Sequence, residues 1–258
     1  MNNMYERKTV RKWFPFGTYE WEEDAATPMV VCFHHAGGSA AYYRNWTLKK
    51  QGINFICTEL PGKGTRMGEK FLNDFEEIKP MLCEAVKELV GDRPYIIFGH
   101  SMGAAIGFYV AHYMEKVYGR APQKLIVAGR QAPDTEDENE FKSYMDDDAL
   151  IRELEKYKAT PKEILENEEL LAFFLPSIRK DYELNDSLQY QQETIDIPIV
   201  AHAGTEDEGA DKGIMEGWKR MTTQRFEVQE FDGDHFFIAP ENDIYFEALV
   251  KEISNSFL

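Results

Sequence analysis

Cysteine, long apolar runs and positive charge are all scarce in this 258-residue sequence. Its three cysteines, Cys32, Cys57 and Cys83, are scattered without a C-x-x-C spacing. That pattern argues against a disulfide framework or a zinc site and indicates reduced, buried thiols. No apolar run is long enough to span a bilayer, and residues 1–8 lack the apolar region of a signal peptide. The sequence therefore predicts a cytoplasmic protein.

Acidic residues dominate the charged ones: 46 aspartates and glutamates against 29 lysines and arginines give a formal net charge of −17. Nucleic acids and anionic membranes both require a basic surface, so we expect neither as a partner. The hydrophobic content of 43% is typical of a folded globular protein. We expect a single large domain over residues 1–258, with room for an insertion.

The most informative stretch runs from Pro94 to Gly107. It begins with an apolar, β-type run and ends in a series of small residues typical of a tightly packed helix. Between them, Gly99-His100-Ser101-Met102-Gly103 fits the G-x-S-x-G pattern of a nucleophile elbow. The two glycines allow the strand and the helix to approach each other closely. The pattern predicts that Ser101 lies at a helix N-terminus, where the Met102 N–H stabilises negative charge.

A second glycine-rich loop, residues 34–40, follows the first predicted strand at residues 29–33. It lacks both G-x-G-x-x-G and the P-loop lysine, so it is not a convincing phosphate cradle. Enzymes with a nucleophile elbow take a second oxyanion donor from the loop after an early strand, and the Ala36 N–H is the natural candidate. We expect His35 to shape the pocket. No carboxylate or cysteine completes a metal-ligand set with His34 and His35.

Apolar β-type segments alternate with helical patterns from residue 29 to residue 129. This alternation predicts an α/β fold with a mostly parallel sheet covered by helices on both faces. From residue 134 to about residue 196 the chain is charged and helical, without a convincing strand. We call residues 134–196 the inserted segment, and expect it to form a lid over the carboxyl edge of the sheet, where ligands bind in such folds.

Two further expectations concern the rest of the chain. Residues 1–27 are interpreted as an N-terminal extension that contains an edge strand. The turn-rich loop at residues 61–66 follows the second predicted strand, and we expect its Lys63 and Arg66 to be mostly exposed.

A serine nucleophile needs a base, an acid that orients the base, and oxyanion donors. The chain order expected for this kind of elbow is nucleophile, acid, base. Asp207 follows a predicted strand and is the preferred acid, with Glu206 and Glu208 as rivals. His235 follows the last predicted strand in a glycine-containing loop and is the expected base. The other candidate histidines, His100, His112 and His202, are interpreted as packing or core residues.

Several separated motifs add to this pattern. They are residues 35–40 (HAGGSA), 59–66 (ELPGKGTR), 98–104 (FGHSMGA), 129–133 (GRQAP), 173–176 (FFLP) with 181–183 (DYE), and 233–237 (GDHFF). With them the chain resembles the stand-alone type II thioesterases that accompany nonribosomal peptide and polyketide synthases. Two departures are His34, where the family usually has proline, and Glu206, where it often has a second aspartate.

The resemblance implies an α/β-hydrolase fold and a Ser101–His235–Asp207 triad with Met102 and Ala36 as oxyanion donors. It implies hydrolysis of acyl groups from the phosphopantetheine arm of carrier-protein domains, which clears misprimed synthases. The expected partners are acyl or peptidyl carrier domains and small acyl groups, with no cofactor or metal. Two alternatives stay open: a small-molecule esterase or acyltransferase on the same fold, and a non-catalytic binding protein. The intact serine, aspartate and histidine argue against the latter.

Overall fold

The computed structural model describes residues 9–16, 27–49, 51–135, 141–158, 160 and 162–257. In this part of the chain, six strands form one sheet in the order β2-β1-β3-β4-β5-β6, and every neighbouring pair is parallel. The strands are β1 (Met29–Phe33), β2 (Asn54–Cys57), β3 (Tyr95–His100), β4 (Lys124–Ala128), β5 (Ile199–Gly204) and β6 (Phe226–Phe231). The predicted parallel α/β sheet is therefore confirmed.

Helices connect the strands, as parallel pairing requires. They are α1 (Arg44–Leu48), α2 (Phe75–Val90), α3 (Met102–Lys116), α4 (Asp147–Lys156), α5 (Lys162–Leu165), α6 (Glu168–Asp186), α7 (Lys212–Met215) and α8 (Asp243–Ser254), with 3-10 turns at Ala40–Tyr43, Gly64–Arg66 and Glu216–Met221. None of these described helices is long and apolar enough to cross a membrane.

Alternate residues of the central strands pack into two separate cores. Val31 and Ile97 face a core built with α2 and α3, while Val30 and Ile96 face a core built with α1 and α8. A strand that is buried on both faces needs apolar residues at consecutive positions, which explains the continuous apolar runs in the sequence. The sheet thus provides a rigid base for the loops at its carboxyl edge.

The inserted segment contains α4, α5 and α6, between β4 and β5. It has a small apolar core of its own, which includes Leu150, Leu154 and Ile178. Asp146 caps α4, because its side chain accepts a hydrogen bond from the Ala149 N–H at 2.8 Å. The acidic run at residues 136–140 lies outside the described residues.

The described part of the N-terminal extension is helical at its start. Residues 9–13 are helical, and no strand is present among residues 9–16; residues 1–8 and 17–26 lie outside the described part. Val10, Trp13 and Phe14 are buried against the first core. The Trp13 carbonyl also accepts a hydrogen bond from the Glu59 N–H at 2.7 Å. Residues 9–16 therefore pack onto the domain as a helical turn, and the edge strand expected within residues 1–27 is not among these eight residues.

Candidate active site

Ser101 lies at the sharp turn between β3 and α3. Its backbone has φ 54° and ψ −123°, a conformation that a non-glycine residue adopts at a cost of about 1–3 kcal/mol. The Ser101 N–H donates to the Ala128 carbonyl of the neighbouring strand at 2.9 Å. This geometry agrees with the strained turn of a nucleophile elbow.

Gly99 and Gly103 leave no room for side chains at this turn. A Cβ at Gly99 would lie 2.1 Å from the Gly103 carbonyl oxygen, and a Cβ at Gly103 would lie 2.2 Å from the Phe33 carbonyl oxygen. Both contacts are with backbone, which cannot move aside as a flexible side chain can. The glycines therefore allow β3, α3 and the end of β1 to meet.

Asp207 and His235 come together from the loops that follow β5 and β6. The Nδ1 atom of His235 lies 2.8 Å from Oδ2 of Asp207, and both side chains are almost fully buried. Oδ1 of Asp207 accepts a second hydrogen bond, from the Gly209 N–H at 3.2 Å. A carboxylate at Nδ1 favours the tautomer in which Nε2 is free to accept a proton. The rivals Glu206 and Glu208 are exposed.

One narrow cavity of about 60 Å³ is lined by both Ser101 and His235. Ala36 and Met102, the two expected oxyanion donors, line the same cavity. The Met102 N–H belongs to the first residue of α3, so it has no acceptor within the helix. The structure thus brings the five predicted residues to one edge of the sheet, with Asp207 behind His235.

The other histidines near the site are buried and neutral. Burial, followed by the nearby His100 imidazole, holds the pKa of His35 well below its usual value. Burial, followed by His235, does the same to the pKa of His100. Nε2 of His100 lies 2.8 Å from the His235 carbonyl oxygen, which can only accept, so this nitrogen carries the proton. Farther from the site, Nδ1 of His202 forms a 2.9 Å hydrogen bond with Tyr245 Oη in the second core.

The inserted segment supplies site residues for which the sequence analysis gave no role. Tyr157 packs against His235, with ring centroids 4.5 Å apart. The cavity is also lined by Glu153, Leu154, Tyr182 and Asn185. Tyr182 belongs to the 181–183 motif, but the helix face that it occupies depends on tertiary packing.

The expectation that Lys63 and Arg66 are exposed is wrong. Only 5% of Lys63 and 6% of Arg66 is accessible to solvent. Arg66 lies over the Trp13 ring at 4.2 Å and donates to the Glu59 carbonyl at 3.0 Å. Lys63 forms a buried ion pair with Asp181 of α6. Local turn propensity identifies a loop, but it does not show that residues distant in sequence cover the loop.

A serine at a strained strand-to-helix turn, followed in chain order by a hydrogen-bonded aspartate and histidine, defines an α/β-hydrolase. The comparison with known proteins is more specific. A family model described as a thioesterase domain matches residues 28–257, and the chain belongs to that family.

Two relatives are similar over nearly their whole length. The chain is 33% identical over 238 residues to a protein named linear gramicidin dehydrogenase LgrE from Brevibacillus parabrevis, with 90% of each chain covered. It is 30% identical over 246 residues to the gramicidin S biosynthesis protein GrsT from Aneurinibacillus migulanus, covering 95% of this chain and 94% of that one.

Solved structures agree with the family and the fold. The type II thioesterase BorB from the borrelidin biosynthetic cluster superposes with a TM-score of 0.78 at 28% identity, covering 90% of this chain and 94% of that one. ClbQ from the colibactin NRPS/PKS pathway gives 0.80 at 26% identity, with 90% and 98% covered. The resemblance to type II thioesterases stated from the motifs is confirmed.

Proposed function

We propose that this thioesterase hydrolyses acyl groups from the phosphopantetheine arm of carrier proteins, and so clears misprimed peptide or polyketide synthases. The observation that supports it best is the Asp207–His235 hydrogen bond beside Ser101, in a chain whose relatives belong to such pathways. The expected partners are acyl or peptidyl carrier domains with small acyl groups, and the expected compartment is the cytoplasm.

The proposed reaction proceeds through an acyl-enzyme. Nε2 of His235 takes the proton of Ser101 Oγ, and the oxygen attacks the thioester carbonyl carbon. The N–H groups of Met102 and Ala36 stabilise the oxyanion, and Asp207 stabilises the imidazolium. The thiolate leaves and takes up the proton that His235 holds. His235 is then free to act as base when water hydrolyses the acyl-serine, and its proton returns to Ser101 Oγ as the acid is released. These residues supply the whole reaction without a metal or cofactor.

The inserted segment forms one wall of the cavity and so limits the space for substrate. The pocket is open to solvent on one side, and its enclosed part of about 60 Å³ has room for only a few water molecules, so an acyl chain needs more space than this part provides. We infer that the α4 side of the wall, which carries Glu153 and Leu154, moves outward when substrate enters, while α6 stays attached through Asp181. We propose that the inserted segment is a lid that opens for the acylated arm.

An esterase or acyltransferase with the same site is the second candidate, because the triad geometry is equally suited to oxygen esters. A dehydrogenase, the activity in the name of LgrE, is not favoured by a serine-centred site. The deciding experiment compares kcat/KM for acetyl- and longer acyl-phosphopantetheinyl carrier proteins with that for acyl-CoA and p-nitrophenyl esters. A clear preference for carrier-bound thioesters supports editing, whereas equal or faster turnover of free esters supports the general esterase.

A further inference from the structure

Asp181, a buried carboxylate outside the triad, joins three distant parts of the chain. It lies on α6 and is only 2% exposed. Its Oδ2 atom accepts a hydrogen bond from the Gly37 N–H at 2.6 Å and another from Nζ of Lys63 at 2.5 Å. The inserted segment, the loop after β1 and the loop after β2 therefore meet at one oxygen atom. The mechanism proposed above does not use this group.

Gly37 belongs to the turn that contains the expected oxyanion donor. The Gly38 N–H donates to the His35 carbonyl at 3.0 Å, which closes a four-residue turn over residues 35–38. Gly37 occupies the third position with φ +83°, the value that a type II turn requires there. Ala36 occupies the second position and lines the cavity beside Ser101. The hydrogen bond to Asp181 thus fixes the peptide that directly follows Ala36.

The rest of the loop is fixed by the body of the domain. Glu59 is fully buried, and its Oε1 accepts a hydrogen bond from the Ala40 N–H at 3.1 Å. At the other end, the backbone of Phe33 and His34 lies against Gly103. The loop is therefore fixed at both ends. Two side chains contact its centre: Nδ1 of His34 lies 2.8 Å from the His35 carbonyl oxygen, and Asp181 of the inserted segment accepts from the Gly37 N–H.

We propose that Asp181 is a positioning residue, which holds the 35–38 turn so that the Ala36 N–H points at the oxyanion. This inference rests on the acyl transfer proposed above. Lys63 balances the charge of Asp181, because a buried carboxylate without a counter-ion is strongly unfavourable. An oxyanion donor acts over a narrow range of distances. A loosened turn therefore reduces the stabilisation of the transition state more than it reduces the affinity for substrate.

Two matched double variants separate the hydrogen bond from the ion pair. D181N/K63M and D181L/K63M both remove the buried charges, but only asparagine keeps an oxygen that accepts from Gly37. We expect D181N/K63M to keep kcat within about threefold of the parent chain. D181L/K63M should lose kcat by roughly ten- to a hundredfold with KM nearly unchanged. A trifluoromethyl ketone inhibitor, whose adduct carries an oxyanion, should bind D181L/K63M more weakly by a similar factor.

Circular dichroism melting curves for both variants show whether a loss of activity is a loss of folding. If D181L/K63M does not fold, D181A/K63M replaces it as the variant without an acceptor. Equal kcat in the two variants, or a change confined to KM, overturns the inference. A different result would contradict the proposed function itself. The parent chain would then not hydrolyse thioesters, or the S101A chain would still hydrolyse them.

Discussion

The helices α3 and α6 have similar lengths but are fixed in different ways. Eleven of the fifteen residues of α3 are buried, against five of the nineteen in α6. Apolar packing against the sheet holds α3. The C-terminal half of α6 is attached by Leu184, which packs in the first core, and by polar side chains such as Asp181 and Asn185. Phe173 in its first half is 68% exposed.

The catalytic residues and the residues of the cavity wall therefore lie in parts of the protein that are packed differently. Ser101, Asp207 and His235 lie on loops of the densely packed sheet, where small displacements are costly. Tyr157 and Tyr182, which border the cavity, lie in the inserted segment with its small core. Sparse apolar packing gives a low local free energy of unfolding, which is the property that an opening wall requires.

The largest effect is expected from replacing Ser101, the proposed nucleophile at the turn after β3. We expect Ser101→Ala to lower kcat by about a millionfold, since loss of the nucleophile removes the covalent route. The melting temperature should not fall, and circular dichroism measures it. An S101A chain that retained substantial hydrolysis would contradict the mechanism.

Replacing the acid gives the next largest effect. Asp207→Asn should lower kcat by roughly 10⁴-fold, because an amide no longer fixes the His235 tautomer that accepts a proton. Glu206→Gln is the matched control: this neighbouring side chain is exposed, and its loss should change kcat less than twofold, about 0.4 kcal/mol. Steady-state kinetics on one thioester compares the two, and the reverse order would make Glu206 the acid.

A phenylalanine-to-alanine substitution in each helix measures the difference in packing between α3 and α6. Phe108 of α3 is fully buried, so Phe108→Ala should lower the free energy of unfolding by about 3–5 kcal/mol. Phe173 of α6 is mostly exposed, so Phe173→Ala should change it by less than about 0.5 kcal/mol. Urea denaturation measures both, and similar losses would show that α6 is as firmly packed as α3.

The smallest effect for each buried residue is a pH dependence of stability in the body of the domain. Burial lowers the pKa of His202 to about 3, and also lowers the pKa values of His35 and His100. The unfolded chain therefore binds protons near pH 6.5 that the folded chain does not, and stability decreases as the pH falls below that value. Each histidine should cost about 1.4 kcal/mol between pH 7.5 and pH 5.5. Urea midpoints across this range test it, and a constant midpoint would contradict neutral buried histidines.

The sequence was most informative where function depends on local backbone. The elbow, the strand alternation and the chain order of serine, aspartate and histidine are all visible as spacing, and the parallel sheet and the family are confirmed. The burial of Lys63 was missed, because it depends on Asp181, which lies 118 residues further along the chain. The helical turn at residues 9–13 was missed because its aromatic neighbours are equally typical of a strand.

The unusual backbone of Ser101 has a consequence for how this chain changes under selection. Glycine adopts positive φ without strain, so Ser101→Gly should stabilise the folded state while abolishing catalysis. Selection for stability alone would therefore favour loss of the nucleophile. Activity and stability therefore oppose each other at this single residue.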